Sequence, residues 1–456
     1  MSDALAVIQE PAPDSESPVT ARLFEIPKVS AVTALALAVA DMIGTGVFTS
    51  LGFQVRDIPS GFSLLMLWVV GGVVALCGAA SYSELAAAFP RSGGEYNYLS
   101  RTFHPAVGFL AGWISATVGF AAPVALAAMA FGQYFAGIVP GAPEIALGLG
   151  VTVLVSAVHL SGTHRGSMLQ NVTTFMKLVL IAVLIVAGFV WGHPQNISFL
   201  PSAADAGYIT GAPFAIGLVF VLYAYSGWNA ATYIAGEIDE PHRNLPRSII
   251  AALLIVTALY MLLNAVFLYT TPIQELKGQL DVGLIAGRHI FGEAGGRLIA
   301  ALICVGLVSS ISAMMWVGPR VTMVMGEDIP LLRVFSRRAK NGVPATALMF
   351  QLFVVAALML TQSFEAVLDF IQFALTFSSF LTVLGVIVLR YRQPDLPRPC
   401  KAWGYPVTPF IFLAVTLFVL AHLATVRPLQ CLASFCTMLA GLLLYAISVR
   451  HSRTAL

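Results

Sequence analysis

Twelve apolar stretches follow one another along the chain, at 30–54, 62–90, 105–135, 144–162, 168–192, 211–236, 246–270, 295–322, 343–361, 365–389, 404–425 and 428–450. Each is long enough to cross about 30 Å of hydrocarbon as a helix. The connections between them are mostly short, which leaves no room for a separate soluble domain. The pattern predicts an all-α membrane protein with twelve transmembrane helices. Two stretches are interrupted from within. VADMIGTGVFTS (39–50) sets an Asp and then Gly44, Thr45 and Gly46 inside the first, and VLYAYSGWNAATYIAGEI (221–238) sets Ser226–Gly227 in the middle of the sixth. Glycine is the poorest ordinary helix former, and a charge in hydrocarbon is expensive, so both stretches read as discontinuous helices. Breaks in spans one and six make a repeat unit of five helices. An odd number makes the second unit enter the membrane from the opposite face, so the expected layout is a five-plus-five inverted repeat. Its units cover 29–192 and 211–390, with helices 11 and 12 appended at 404–450. Residues 1–28, rich in Pro, Ser, Asp and Glu, read as a disordered cytoplasmic tail without the features of a signal peptide.

Composition sharpens this picture. Of 456 residues, 58% are hydrophobic and only 10% charged, against about 25% charged in a soluble chain. The clusters Arg333, Arg337, Arg338, Lys340 and Arg390, Arg392, Arg398, Lys401 dominate the distribution of basic residues. By the positive-inside rule they place both termini in the cytoplasm. The net charge of +2 is spread over membrane-facing loops, so no nucleic acid partner is implied. The five cysteines lack CxxC or paired loop spacing, and the eight histidines lack helical pair spacing. No disulfide framework, metal site or cofactor is therefore expected. A membrane enzyme would need clustered His, Asp or Glu, and a channel a continuous polar path. Neither is found, and no ATP-binding loop is present.

A broken helix exposes carbonyls at one half-helix end and amides at the start of the next. Carbonyls of Met42, Tyr223 and Ala224 are placed to accept from an ammonium group, and amides of Thr45, Gly46 and Val47 to donate to a carboxylate. Such a site, lined by backbone, suits a free α-amino acid zwitterion.

The motifs themselves are familiar. IGTGVF (43–48) resembles the first-helix motif of the amino acid–polyamine–organocation superfamily, and YSELAAAFPRSGGEYNYL (82–99) its signature at the end of helix two. AYSGWNAATYIAGEIDEPHRNLPRSI (224–249) is most similar to helix six of L-type amino acid transporters. The resemblance implies the LeuT-type fold, alternating access, a bacterial-type plasma (inner) membrane location, and uptake or exchange of amino acids. Carried over, Thr45 and Gly46 hold the carboxylate, while Met42, Tyr223 and Ser226 lie near the amine. Tyr223 takes the place of the gating aromatic, and Trp228 and Asn229 match a Trp-Asn pair. With Ile43, Gly44, Val47, Ala224 and Gly227 these form the candidate substrate-binding set. Two departures stand out. The 136–144 loop lacks the cysteine that joins animal members to a glycoprotein heavy chain, so no such partner is expected. Asp41 stands where a small or hydroxyl residue belongs.

Asp41 and Lys177 both lie roughly 14–17 Å into spans that start in the cytoplasm. An unpaired charge there costs at least ~2.5 kcal/mol on insertion scales, so each is a candidate partner for the other. Lys177 also falls where many relatives carry a helix-five lysine, in the place a sodium ion takes in sodium-coupled relatives. There it would donate to carbonyls near Met42 or Ile43. The competing readings are a lysine that snorkels to the interface and a structural ion pair. Ser309, Ser310 and Ser312 are candidate hydroxyls of the same coupling site, with protons as a further candidate partner. Glu84, Glu95 and Glu237 read as solvated loop charges, with gating ion pairs to Arg91, Arg165 or Arg243 as the competing reading. Tyr134 and Trp191 read as interface anchors, and Trp113 and Trp316 as packing. With Asp41 as the sole deep acid near the site, the expected substrate is a neutral amino acid. Rivals are an amine, polyamine or other metabolite transporter, and an amino acid sensor that has lost transport.

Overall fold

Ser30 starts the first helix, its Oγ accepting from the Thr33 amide at 3.2 Å, as an N-cap should. The computed structural model describes residues 29–361 and 364–454, so the expected tail at 1–28 lies outside the described residues. Helix α1 (Ala31–Met42) stops at Ile43 and Gly44, and α2 (Thr45–Gln54) resumes after them. The chain continues through α3 (Gly61–Ala88), a short α4 (Glu95–Thr102), and α5 (Pro105–Ile114). A five-residue π-turn (Ser115–Gly119) joins α5 to α6 (Ala121–Ile138). Next come α7 (Glu144–Leu160), α8 (Thr163–Trp191), α9 (Ala203–Thr210) and α10 (Ala212–Tyr225), which passes into a 3₁₀ helix over Ser226–Glu237. The remainder is α11 (Pro241–Thr270), α12 (Ile273–Leu276), α13 (Val282–Asp328), a 3₁₀ turn (Pro330–Ser336), α14 (Ala345–Thr361), α15 (Phe364–Arg392), α16 (Val407–Val426) and α17 (Pro428–Thr454).

Ten of these segments are long and apolar enough to cross a membrane, and Glu144–Leu160 and Ala345–Thr361 are shorter apolar helices. Among the described residues, β-structure is confined to one isolated parallel bridge, Val29 with Ile238. There Val29 N donates to Glu237 O at 2.7 Å and Asp239 N to Val29 O at 3.0 Å. The start of the first span is thus strapped to the end of the sixth.

Several elements differ from the sequence reading. The sixth span contains no gap: its α-helix tightens into 3₁₀ at Ser226, and Ile234 leaves helical geometry near the end. The eighth begins earlier than 295, because α13 starts at Val282 and bends at Gly292. That residue has φ +73°, which glycine adopts without the penalty a Cβ brings. Tyr134 is no interface anchor. It is fully buried, donates to Phe48 O at 3.0 Å and accepts from Gly283 N at 3.1 Å. It thereby pins α6 between α2 and α13. Trp191, by contrast, is 63% exposed, where a lipid-facing anchor belongs.

Two glycines let spans one and six touch. A Cβ on Gly46 would sit 2.5 Å from the Ala224 Cβ and 2.6 Å from its Cα. A Cβ on Gly227 would sit 2.5 Å from the Asp41 carbonyl carbon. No other residue fits at either point without backbone movement. The two interruptions are brought face to face in this way.

Candidate substrate site

At the break in span one, Ile43 (ψ 82°) and Gly44 (φ −123°, ψ −140°) turn the backbone out of the helix and free its carbonyls. Lys177, fully buried on α8, meets them. Its Nζ donates to Ala40 O at 3.0 Å, to Ile43 O at 2.5 Å and to Ser310 Oγ at 2.8 Å. Ser310 in turn donates to Ile43 O at 3.0 Å. All three ammonium hydrogens thus meet acceptors other than Asp41. The three serines of α13 divide their work: Ser310 serves Lys177, Ser309 faces Thr174 Oγ1 at 3.0 Å, and Ser312 faces His159 Nε2 at 2.9 Å.

The carbonyls on the other side of the break are met by a residue that the sequence did not single out. Tyr260, buried at the middle of α11, places its hydroxyl 2.5 Å from Met42 O and 2.9 Å from Ala224 O. One proton is shared between the two interruptions. Met42 O also accepts from Gly44 N at 2.8 Å, and Tyr223 O from the Ser226 amide. Tyr260→Phe is expected to leave Met42 O with the Gly44 amide alone and to take the hydroxyl donor from Ala224 O, at about 1–3 kcal/mol for a buried unsatisfied group. A lower melting temperature in detergent, with uptake reduced several-fold, is the expected outcome. An unchanged melting curve would remove the tyrosine from this role.

A cavity opens beside the junction in span six. Of the candidate residues, Asp41, Ser226, Gly227, Trp228 and Asn229 line it. Ile43 and Gly44 lie behind its wall on the Lys177 side. Met42, Thr45, Gly46, Tyr223 and Ala224 lie in the contact between spans one and six, where Thr45 Oγ1 meets Tyr223 Oη at 3.2 Å. Val47 is fully buried in the core. Ser115, Gly119 and Phe120 at the π-turn, together with Gln372, Thr376 and Ser379 of α15, complete much of the lining. Asp41 is 7% exposed, and its Oδ1 has no hydrogen-bond partner among the described residues.

Below the cavity the bundle is closed by carboxylates, of which Glu84, Glu95 and Glu237 are expected from the sequence to lie in solvent. Glu95, 2% exposed, accepts from Tyr82 and Ser378, from Ser379 Oγ at 3.2 Å and from Asn229 Nδ2 at 3.3 Å. Arg320 Nε donates to Glu237 at 2.6 Å, and Arg91 bonds Asp328 at 2.7 Å and 3.0 Å. Glu84, fully buried, accepts from Arg390 at 2.9 Å and 2.5 Å and from the Ala402 amide at 2.8 Å. These groups are paired and mostly buried, with partners from 13 to 318 residues away. Burial raises the pKa of Glu95 above its usual 4.5, and the four donors only partly offset this. A raised native pKa means stability that is complete below pH 4.5 and declines as pH climbs through the native value. Glu95→Gln is expected to flatten that decline in melting temperature. A variant that keeps the wild-type pH profile would show that another group is responsible.

With this geometry in place, comparison with known proteins is decisive. A model of the family described as amino acid permease matches residues 29–446. The chain belongs to that family. The permease is 27% identical over 433 residues to the b(0,+)-type amino acid transporter 1 of Mus musculus, covering 93% of this chain and 88% of that one. It is 26% identical over 439 residues to the large neutral amino acids transporter small subunit 2 of Mus musculus, covering 92% and 81%. To the serine/threonine exchanger SteT of Bacillus subtilis (strain 168) it is 27% identical over 425 residues, covering 92% and 96%. Membership in the amino acid–polyamine–organocation superfamily follows. The permease is a multi-pass membrane transporter of amino acids and not an enzyme.

Three features of the permease escaped the sequence: Tyr260, the π-turn at 115–119, and Gln372 on α15. A lone tyrosine in an apolar span and a glutamine in a Phe-rich one carry no periodic signal. The π-turn has no composition of its own, although such turns gather at functional sites.

Proposed function

We propose that the permease is a secondary transporter of amino acids, neutral ones foremost, working by alternating access with a five-plus-five inverted repeat. Its repeats are 29–192 and 211–390, and helices 11 and 12 at 404–450 stand outside them. The observation that carries this reading is the meeting of two interrupted spans, one from each half, beside a cavity at the centre of the bundle. Irregular backbone at that depth is tolerated only where protein or a cavity surrounds it. Lys177 supplies an internal cation to the break in span one, in the place of a sodium ion. Amides of Thr45, Gly46 and Val47 remain the candidate carboxylate donors, reached when the Gly46–Ala224 contact loosens during the cycle. The basic loops put both termini in the cytoplasm of a plasma (inner) membrane. The Glu95, Glu237 and Asp328 clusters then form the cytoplasmic closure. The chain works without a glycoprotein heavy chain.

The test is a panel of radiolabelled amino acids and amines in proteoliposomes, run with and without internal substrate, a pH gradient and sodium. The expected result is sodium-independent movement of neutral amino acids. Trans-stimulation by internal substrate would make it an exchanger, and acceleration by an inward proton gradient a proton-coupled carrier. Movement of amines alone would replace the amino acid reading, and binding without movement would make the protein a sensor.

A further inference from the structure

We infer that Asp41 is the counter-ion for the substrate's ammonium group, an inference that rests on the reading of the central cavity as the substrate site. A zwitterion needs an acceptor for its amine; Met42 O already accepts from Gly44 N and shares the Tyr260 hydroxyl with Ala224 O. Asp41 offers what they do not. It ends α1 at the cavity wall, is 7% exposed, and keeps Oδ1 free of any partner among the described residues. Lys177 does not satisfy it, because the three Nζ hydrogens go to Ala40, Ile43 and Ser310.

The rest of the cavity favours the same occupant. Among the described residues, no lysine, arginine or histidine lines it. Gln372 turns its amide nitrogen to Thr376 Oγ1 at 3.0 Å and leaves Oε1 without a partner among those residues. A second acid stands directly behind the wall: Glu95 holds the lining residues Ser379 and Asn229 by hydrogen bonds, and its donors are all neutral. Asp41 Oδ1 is left without a hydrogen-bond donor among the described residues, and a donor brought in by the ligand removes that cost of burial. Trp228 and Phe120 present aromatic walls to the remainder of the ligand. The ammonium is then the half of the substrate that Asp41 holds, and an amine without the carboxylate keeps that contact.

The experiment measures binding to the purified full-length permease by thermal shift, so it does not depend on transport. The ligands are leucine and serine, their carboxylate-free counterparts 3-methylbutylamine and ethanolamine, and N-acetyl-leucine and N-acetyl-serine. At least one amino acid and its matching amine should stabilise the protein, and the acetylated forms should not. Asp41→Asn should weaken both active ligands at least tenfold, and Asp41→Glu should restore part of the loss. Equal binding of the amine by wild type and Asp41→Asn overturns the inference. So does acetylated ligand binding as well as its parent, or a wild type that binds none of the six. If Asp41→Asn does not fold, the wild-type contrast between amine and acetylated ligand decides alone. Asp41-dependent amine binding by a protein that moves no amino acid in proteoliposomes would sink the transport reading and leave this one standing. Amino acid uptake with the same KM in Asp41→Asn would do the reverse.

Discussion

Gly46→Val is expected to abolish amino acid uptake while the protein is still made and inserted. Even the first added carbon would lie 2.5 Å from the Ala224 Cβ and 2.6 Å from its Cα, far inside contact distance, and one of those atoms is backbone. Overpacking a tight core typically costs about 1–3 kcal/mol. Here it falls on the contact that holds α2 against α10, so the damage goes to the relative placement of the two half-helices. Uptake should fall at least a hundredfold in proteoliposomes, with a monodisperse peak retained on size exclusion. Ala224→Gly in the same chain removes one of the two clashing atoms and should recover part of the activity. A Gly46→Val variant that transports normally would mean that the contact plays no part in the cycle.

Lys177→Ala carries the second large effect. Three hydrogen bonds disappear together, and the Ala40 and Ile43 carbonyls keep only the Ser310 hydroxyl. Each buried carbonyl left unpaired costs about 1–3 kcal/mol. The break in span one should therefore lose its fixed geometry, and uptake should drop at least tenfold. Lys177→Met preserves much of the volume without the charge and should fail as badly, which separates the role of the ammonium from packing. Oxygen ligands of this kind also suit a hard cation. The alanine variant is accordingly assayed with and without sodium, where partial recovery in sodium would support the lysine as an ion surrogate. Wild-type rates for both variants would reduce Lys177 to a bystander.

Sequence carried some of this plainly and some not at all. The break at Ile43–Gly44 was legible because two glycines flanking a threonine inside an apolar run weaken a helix at one point. The interruption in span six was placed at the right residues and given the wrong form. Ser226–Gly227 marks a change from α to 3₁₀ winding, and composition does not distinguish that from a gap. Lys177 could be assigned to the carbonyls near Ile43 because a buried ammonium must find acceptors, and a broken helix is where they are. Tyr260 could not be found, since its partners lie 218 and 36 residues away and nothing local asks for a hydroxyl. Glu84 and Glu95 were misjudged for the same reason. A carboxylate beside a loop looks solvated until the fold delivers Arg390 or Ser378 from the far end of the chain.

The strap between Val29 and the stretch Glu237–Asp239 has a mechanical consequence. Because it is made of main-chain groups, substitutions other than proline leave its donors and acceptors in place, and the near ends of the first and sixth spans are tied together. Any displacement of one of these ends that keeps the strap intact must carry the other with it, although the two lie about 200 residues apart in the chain.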